Sequence, residues 1–435
     1  SKNDKNIKII KSSKDNKNRK IFKFDRQAKQ FTKPKLNEQA AYLESRNLLP
    51  VIFFFFSRER VESSSRQLAN KMSVIENKND IKDKYNEVFK YLTPEEINLL
   101  NLDEHMWMWS RGVGFHHAGL APIVKEFVEY LFLNRYIKYL FATETLALGI
   151  NMPAKSIYID RLHKYDGIKT RPLTQSEFLQ LSGRAGRRGI DDKGFAFLSY
   201  DKSVNREWYS NLFTLKPNDL ISAFSVNYSS ILNLLNIYNE DEAVELLRKS
   251  FFAYQNMYKT DKLEKLFSAK YGVLNQLGFL NSDKGLVLTQ TYRDNLIPAI
   301  YLFNKEKNKD IEFKLMYISS GITNERAEFA LNDKFDSLLS SFNSSLELVN
   351  KTEVANGVGK PMKLNFSWFS VFYEYMKTSN IEYVINKFGL NIGDFIKVAK
   401  EASELSKKLA VIYSDTEFEE INDIFNNKLI QKTMT

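Results

Sequence analysis

Cysteine is absent from all 435 residues, which excludes disulfides, thiolate zinc sites and thiol catalysis, and suits a reducing compartment such as the cytoplasm. Histidine is scarce too, with four copies, and the adjacent pair His116 and His117 has no thiolate to complete a ligand set. No metal site is therefore expected. No apolar run approaches the roughly eighteen residues that a bilayer span needs, so no membrane partner is expected. The longest run, Leu48 to Phe56, suits a buried strand. Neither a signal-peptide pattern nor a short-period internal repeat is present.

What is present is an ordinary globular composition, 43% hydrophobic and 27% charged, in a chain long enough for two to four soluble domains. Sixty-three Lys and Arg against 53 Asp and Glu leave a net charge of +10. Such a balance favours an acidic partner, and nucleic acid leads because neutralising phosphates releases counterions. Residues 1–36 hold thirteen Lys and Arg against three Asp and Glu with little periodicity. They read as a mobile basic arm within a linker over residues 1–47, or as a local form of the chain's general Lys and Asn bias.

The apolar segments Val51 to Ser57, Tyr136 to Thr143, Ser156 to Asp160 and Gly194 to Ser199 predict strands, with helical patterns between them. That alternation gives an open α/β sheet with a mostly parallel core. Beyond about residue 205 the strand signal fades, and helical faces appear at Ile231 to Leu235 and Asp241 to Tyr254. Between Leu263 and Thr289 a helix, a polar turn at Asn281 to Gly285 and a strand at LVLT are predicted, the pattern of a winged helix. The remainder reads as helical, broken by a Gly-rich loop at Asn356 to Lys360.

The densest chemical signal is QLSGRAGRRG, Gln180 to Gly189, after a predicted helix at Thr174 to Leu181. Glycines let a backbone turn tightly and approach a ligand. Arg184 and Arg187, three apart, can present two guanidinium forks to the oxygens of a triphosphate. A generic basic loop touching RNA is the alternative. Three further blocks precede it in order: FFFFSRERVE at Phe53 to Glu62, GVGFHHAGL at Gly112 to Leu120, and FATETLALGINMPA at Phe141 to Ala154.

Together the four blocks resemble the motifs of the second RecA-like lobe of superfamily-two helicases. More narrowly, they are similar to the DExH-box group of superkiller and exosome-associated helicases with its bacterial HelY-type members. The resemblance is dense from about Leu49 to Tyr200. It implies that Gln180, Arg184 and Arg187 contact ATP, the arginines as catalytic fingers, with Gly149 and Asn151 facing the same cleft. It also implies that Ser57, Arg58, His117, Gly119 and Thr143 face a nucleic-acid backbone, where strand ends and helix starts offer hydroxyls and free N–H groups.

Past the lobe, Ser222 to Leu235 resembles the opening of the family's winged-helix domain, with Tyr228 and the leucines as core. Phe366 to Ala410 resembles the helical DSHCT domain more loosely. GDFIKVAKEASELSKKLA, from Gly393, places Phe395, Val398, Ala402, Leu405 and Leu409 on one stripe and Lys397, Lys400 and Lys408 outside it. Lys397 and Lys400 are thereby candidates for a ratchet helix along a single strand, although exposed lysines are as often merely solvated. The expected domains are a RecA-like lobe at 48–205, a winged helix at 206–292 and a helical domain at 293–435.

Neither GxxxxGK[ST] nor a DExH box occurs in the sequence. NGVGKP at Asn356 puts proline after the lysine, and LDEHM at Leu102 lacks the spacer residue before His105. A motor needs both motifs to cradle phosphates and magnesium. The expectation is therefore the C-terminal part of an ATP-dependent helicase. ATP and Mg would be held mainly by a first lobe upstream, with 3′ to 5′ travel on single-stranded RNA in preference to DNA. The chain alone is expected to be a monomer without useful ATPase. The rival reading is a stand-alone, non-catalytic nucleic-acid-binding or scaffold protein. A winged-helix transcription regulator would leave Gln180 to Gly189 unexplained.

Overall fold

The structure is a computed structural model that describes residues 9–12, 34–147, 152–165, 169–199, 212, 219–256, 260–291, 296, 311–322, 335–358, 366–413 and 416–426. The chain divides into two compact units, residues 1–218 with 391–394 and 432–435, and residues 219–390 with 395–431.

The first unit is built on a six-stranded sheet. Its members are β1 (Ile9–Ser12), β2 (Val51–Phe54), β3 (Val113–His116), β4 (Tyr139–Ala142), β5 (Ser156–Ile159) and β8 (Gly194–Leu198), in the order β1-β8-β5-β2-β4-β3. A separate hairpin pairs β6 (His163–Tyr165) with β7 (Thr170–Pro172). Every side chain of β2 is buried, as a β-branched and aromatic run covered on both faces must be. Phe53 stacks on Phe141 of β4 at 4.9 Å between centroids and tilts against Tyr158 of β5 at 5.4 Å, which locks the three central strands together.

All neighbouring pairs in the large sheet are parallel except β1 with β8. Phe54 is level with Ala142 and Ile159, and His116 is level with Ala142, so four strands finish on one line. The four predicted strands are all present. Two elements were not anticipated. Strand β3 is interrupted by Gly114 and ends in histidine, and the β6–β7 hairpin carries polar residues with little burial, so neither bears an apolar run or a clean alternation.

The basic segment 1–47 departs from the expected mobile arm in two places. Ile9–Ser12 adds to the edge of β8 by backbone pairing. Leu36–Ser45 forms helix α1, opened by the Lys35 backbone N–H donating to the Glu38 carboxylate at 3.0 Å and held by buried Gln39, Ala40 and Leu43.

The sheet is flanked by helices α2 (Arg58–Ala69), α3 (Lys78–Phe89), α4 (Pro94–Leu99), α5 (Leu102–Trp109), α6 (Pro122–Leu133) and α7 (Gln175–Ser182). In α6 the residues Ile123, Val124, Phe127, Val128, Leu131 and Phe132 repeat at helical spacing and are all buried. Phe127 meets Phe89 at 5.1 Å and Trp109 at 4.9 Å. Each such ring adds roughly 1.5–3 kcal/mol by leaving water.

In the second unit all regular elements among the described residues are helices, beginning with α8 (Tyr228–Leu235), α9 (Glu240–Arg248), α10 (Phe251–Gln255) and α11 (Thr260–Gln276). Tyr228, Ile231 and Leu232 are buried as expected of core residues, and the Tyr228 hydroxyl donates to Glu353 at 2.7 Å. The single helix expected over Asp241 to Tyr254 is two, because Ser250 caps a new one by accepting the Ala253 N–H.

The predicted strand LVLT is a correction: Leu286 to Thr289 lies inside helix α12 (Asp283–Thr291). A strand would bury alternate residues, yet Gly285, Val287 and Leu288 are buried while Leu286 is exposed. Ser282 also offers its hydroxyl to the Gly285 N–H at 3.3 Å, which starts a helix.

The remaining helices are α13 (Ile311–Gly321), α14 (Asp336–Ala355), α15 (Ser367–Thr378), α16 (Ile381–Phe388), α17 (Ile392–Tyr413) and α18 (Thr416–Phe425). The second unit runs across residue 292, where a domain boundary was expected. Of the Gly-rich loop at 356–360, residues 359 and 360 lie outside the described residues.

Candidate nucleotide and nucleic-acid interface

Loops leave the carboxyl ends of three adjacent strands, β2, β4 and β3, and carry four of the expected residues, with Arg58 opening α2 as a fifth. Ser57 follows β2 as the N-cap of α2, its hydroxyl accepting the Arg60 N–H at 3.4 Å. Thr143 follows β4, with its N–H on the His116 carbonyl at 3.2 Å and its hydroxyl exchanging a hydrogen bond with Thr145 at 2.8 Å. His117 and Gly119 follow β3 and lead to α6, whose first turn has no side-chain cap. Helix starts of this kind are in general a favourable setting for phosphate.

The side chains are more committed than a free phosphate-binding row would be. His117 is 1% exposed; its Nδ1 accepts the Gly119 N–H at 3.1 Å and its Nε2 meets Glu62 at 3.1 Å. The ring therefore orders the loop instead of facing a ligand with its own N–H. Gly119 packs closely there: a Cβ would lie 3.1 Å from His117 Nδ1 and 3.2 Å from an Arg58 nitrogen, so both side chains would have to shift by a few tenths of an ångström. Arg58 forms a two-toothed pair with Asp394, in the short segment 391–394 of the same unit, and Gly393 donates to the Gly119 carbonyl.

Behind His117 runs a chain of charge. Arg66 bridges Glu62 at 3.1 Å and Glu104, which also accepts from Asn101. The His117 hydrogen bond and then Arg66 hold the Glu62 carboxyl below its ordinary range against the effect of burial. Arg66 does the same for Glu104. His105, from the LDEHM segment, stacks on Phe115 at 4.6 Å and Trp109 at 5.1 Å, with Nδ1 buried and unpartnered. Burial pushes its pKa down to about 4, so it is a neutral core residue.

The arginine loop is docked elsewhere, at the amino ends of β5 and β8. Helix α7 opens with a capping box between Thr174 and Glu177 and presents Gln180 on an exposed face. After Gly183 the chain pairs with Ala154, which donates to the Arg184 carbonyl at 2.9 Å and accepts from Gly186 at 2.7 Å. Gly186 has φ +94, which L side chains rarely adopt, and a Cβ on Gly194 would fall 2.2 Å from the Ala185 carbonyl oxygen. Gly194→Ala is thus expected to lose about 2 kcal/mol by overpacking against rigid backbone. Urea unfolding checks this, and unchanged stability would show that the loop yields.

The sequence reading has Arg184 and Arg187 present their guanidinium groups to a triphosphate; in the structure each is engaged within the chain. Arg184 donates through Nη2 to the Ala147 carbonyl. Arg187 grips Asp191 through Nε at 2.7 Å and Nη2 at 2.8 Å, with the Asp191 side chain 5% exposed. The Arg187 guanidinium holds the Asp191 carboxyl below its ordinary range. The physical reason is proximity in a tight turn: Asp191 lies four residues on, and its N–H returns to the Arg187 carbonyl at 2.9 Å. Arg188, the third arginine, is exposed.

Gly149 and Asn151 lie outside the described residues. Lys397 is exposed with Glu401 4.0 Å away, Lys400 is half-buried, and the stripe from Phe395 to Leu409 is buried as expected. Among the described residues no group of three or more His, Asp or Glu is placed to hold a metal ion, and no helix is long and apolar enough to cross a membrane.

Sequence reading missed the ion-pair chain that joins the two regions. Lys164 of β6 meets Glu144, just after Thr143, at 2.7 Å and Glu177 of α7 at 2.7 Å. Arg171 of β7 grips Glu177 with two bonds and holds its carboxyl well below the usual range. Only tertiary proximity reveals it, whereas Asp191 four residues after Arg187 and Glu62 four before Arg66 were visible as opposite-charge spacings.

No family model matches the chain. Curated relatives do. The chain is 38% identical over 212 residues to the mouse protein named exosome RNA helicase MTR4, covering 48% of this chain and 20% of that one. It is 38% identical over 220 residues to the Arabidopsis thaliana DExH-box ATP-dependent RNA helicase DExH9, covering 50% and 22%. It is 35% identical over 228 residues to the probable helicase HelY of Mycobacterium tuberculosis, covering 52% and 25%. The chain thus spans about a fifth to a quarter of the length of these relatives. Over about half its own length it is homologous to DExH-box RNA helicases of the exosome-associated type and to bacterial HelY, as the motif order implies.

Proposed function

We propose that this homologue of DExH-box RNA helicases is the C-terminal part of an ATP-dependent RNA helicase: the second motor lobe and the helical region after it. The observation that carries the reading is the division of the sheet-borne residues into two linked groups. One follows the carboxyl ends of β2, β4 and β3, where hydroxyls and helix starts suit a single strand's phosphates. The other is the arginine loop anchored at Ala154 and Gly194. Arg184 and the Glu144–Lys164–Glu177 chain tie the second group to the segment that follows Thr143. A change at the nucleotide can be felt at the strand through those ties.

On this reading Arg184 and Arg187 face the triphosphate, with Gln180 lining the same cleft. Ser57, Arg58, Gly119 and Thr143 line the RNA path, and Lys397 and Lys400 of α17 are further candidates for RNA contact. The sequence has no GxxxxGK[ST] and no DExH box, and the described residues offer no metal cluster. Magnesium and most phosphate contacts therefore belong to a first lobe. Translocation runs 3′ to 5′ by analogy with the family.

Adding a separately purified first lobe of a related helicase, bearing both missing motifs, is expected to restore RNA-stimulated ATPase. The chain by itself should show none. ATPase from the purified chain alone, or none from the mixture, overturns the motor reading. A stand-alone binding protein is favoured by one observation, the internal pairing of Arg187, and RNA binding without complementation would decide for it.

A further inference from the structure

Three of the five N–H bonds of the Arg187 guanidinium are left over once Asp191 has taken the Nε–H and one from Nη2. The same carboxylate also accepts the Arg187 backbone N–H at 3.0 Å, so one buried group holds both the turn and the side chain it carries. Ile190 and Asp191 return their own N–H groups to the Arg187 carbonyl at 3.1 and 2.9 Å. The turn is bounded by Gly186 and Gly189, with φ +94 and +79, which places it where its backbone N–H groups and glycines fix its course. Among the described residues nothing else bonds to the Arg187 side chain, and 15% of it is exposed.

Resting on the motor reading above, we infer that Asp191 is the positioning residue for Arg187, clamping the Nε and Nη2 edge so that Nη1 is preset to donate to a phosphate oxygen. A long, flexible arginine would otherwise have to be ordered at each turnover, and a donor already aimed at developing charge needs no reorganisation at that moment. The clamp also explains how an arginine can be ion-paired at rest and still serve a nucleotide: the carboxylate occupies one edge of a planar fork and leaves the other. Arg184 differs, since it donates to a neutral carbonyl, that of Ala147.

The test uses the chain with the added first lobe, comparing wild type, Asp191→Asn, Arg187→Ala and the double variant for turnover and for KM of ATP. Asp191→Asn keeps the shape and removes the charge. It is expected to lower turnover roughly 10- to 100-fold through misplacement of Arg187, with KM nearly unchanged, and to cause no further loss in the Arg187→Ala background. An equal loss in both backgrounds, or no loss in either, overturns the role of Asp191 while leaving the motor reading intact. Unchanged turnover in Arg187→Ala alone overturns the finger assignment instead. Independently of activity, the Arg187 Nε–H signal in the chain labelled with 15N-arginine should exchange slowly with solvent and faster in Asp191→Asn. Equal exchange rates would sink the clamp whatever the ATPase shows.

Discussion

Replacing Arg187 with alanine in the lobe-complemented mixture is expected to cut RNA-stimulated ATP turnover by about 10³ or more, the scale on which an arginine finger stabilises transferring phosphate. The guanidinium would act as one of the few cations aimed at the phosphoryl group from outside the cradle that binds it. Its effect belongs to the transition state, so KM for ATP should move far less than turnover. The substitution also leaves the buried Asp191 carboxylate without its partner, which lowers stability. Thermal unfolding of the variant separates the two effects, because a folded, RNA-binding and inactive protein shows a catalytic loss. Turnover within a factor of a few of the wild type would remove Arg187 from the nucleotide site.

Acidification from pH 7 to pH 5 is expected to weaken the first unit by about 2 kcal/mol through His105 alone. Its folded pKa is pushed down to about 4 by burial, below the ordinary value of 6.5 that it regains on unfolding. The unfolded state therefore takes up a proton that the native state refuses. The neutral-histidine advantage is fully present above pH 6.5, falls as the pH drops towards 4, and is gone below that. The carboxylates of Glu62, Glu104 and Asp191, held low by their cationic partners, contribute losses only at still lower pH. His105→Phe keeps a ring between Trp109 and Phe115 and removes an unpartnered buried nitrogen. It should abolish the difference in urea-unfolding free energy between pH 7 and pH 5. A wild-type protein equally stable at both values would contradict the buried neutral state.

Much of the first unit was legible from local pattern. A short β-branched and aromatic run such as VIFF favours a strand covered on both faces, and the alternation of such runs with helical segments implies a parallel sheet. The glycines of Gln180 to Gly189 announced a tight turn, and Gly186 and Gly194 show why: one needs positive φ, the other the approach of the Ala185 carbonyl. What misled was composition taken for conformation. LVLT looked like a strand by residue type, yet its burial follows a helix packed on α8. The basic stretch before residue 48 looked structureless, yet Ile9–Ser12 completes a sheet edge, because backbone pairing needs no apolar side chains.

By itself, then, the order of residues determined the sheet, the four motif blocks and the lack of a GxxxxGK[ST] motif, because these depend on neighbours along the chain and on which residue types occur. The tertiary structure decided which side chains are already engaged. It buried His117 against Glu62, paired Arg187 with Asp191, and joined Glu144 to Glu177 through Lys164 on a hairpin between them. Such pairings depend on distances of about 3 Å between atoms that can be far apart in sequence, and Coulomb and hydrogen-bond energies fall too steeply with distance for residue order to settle them.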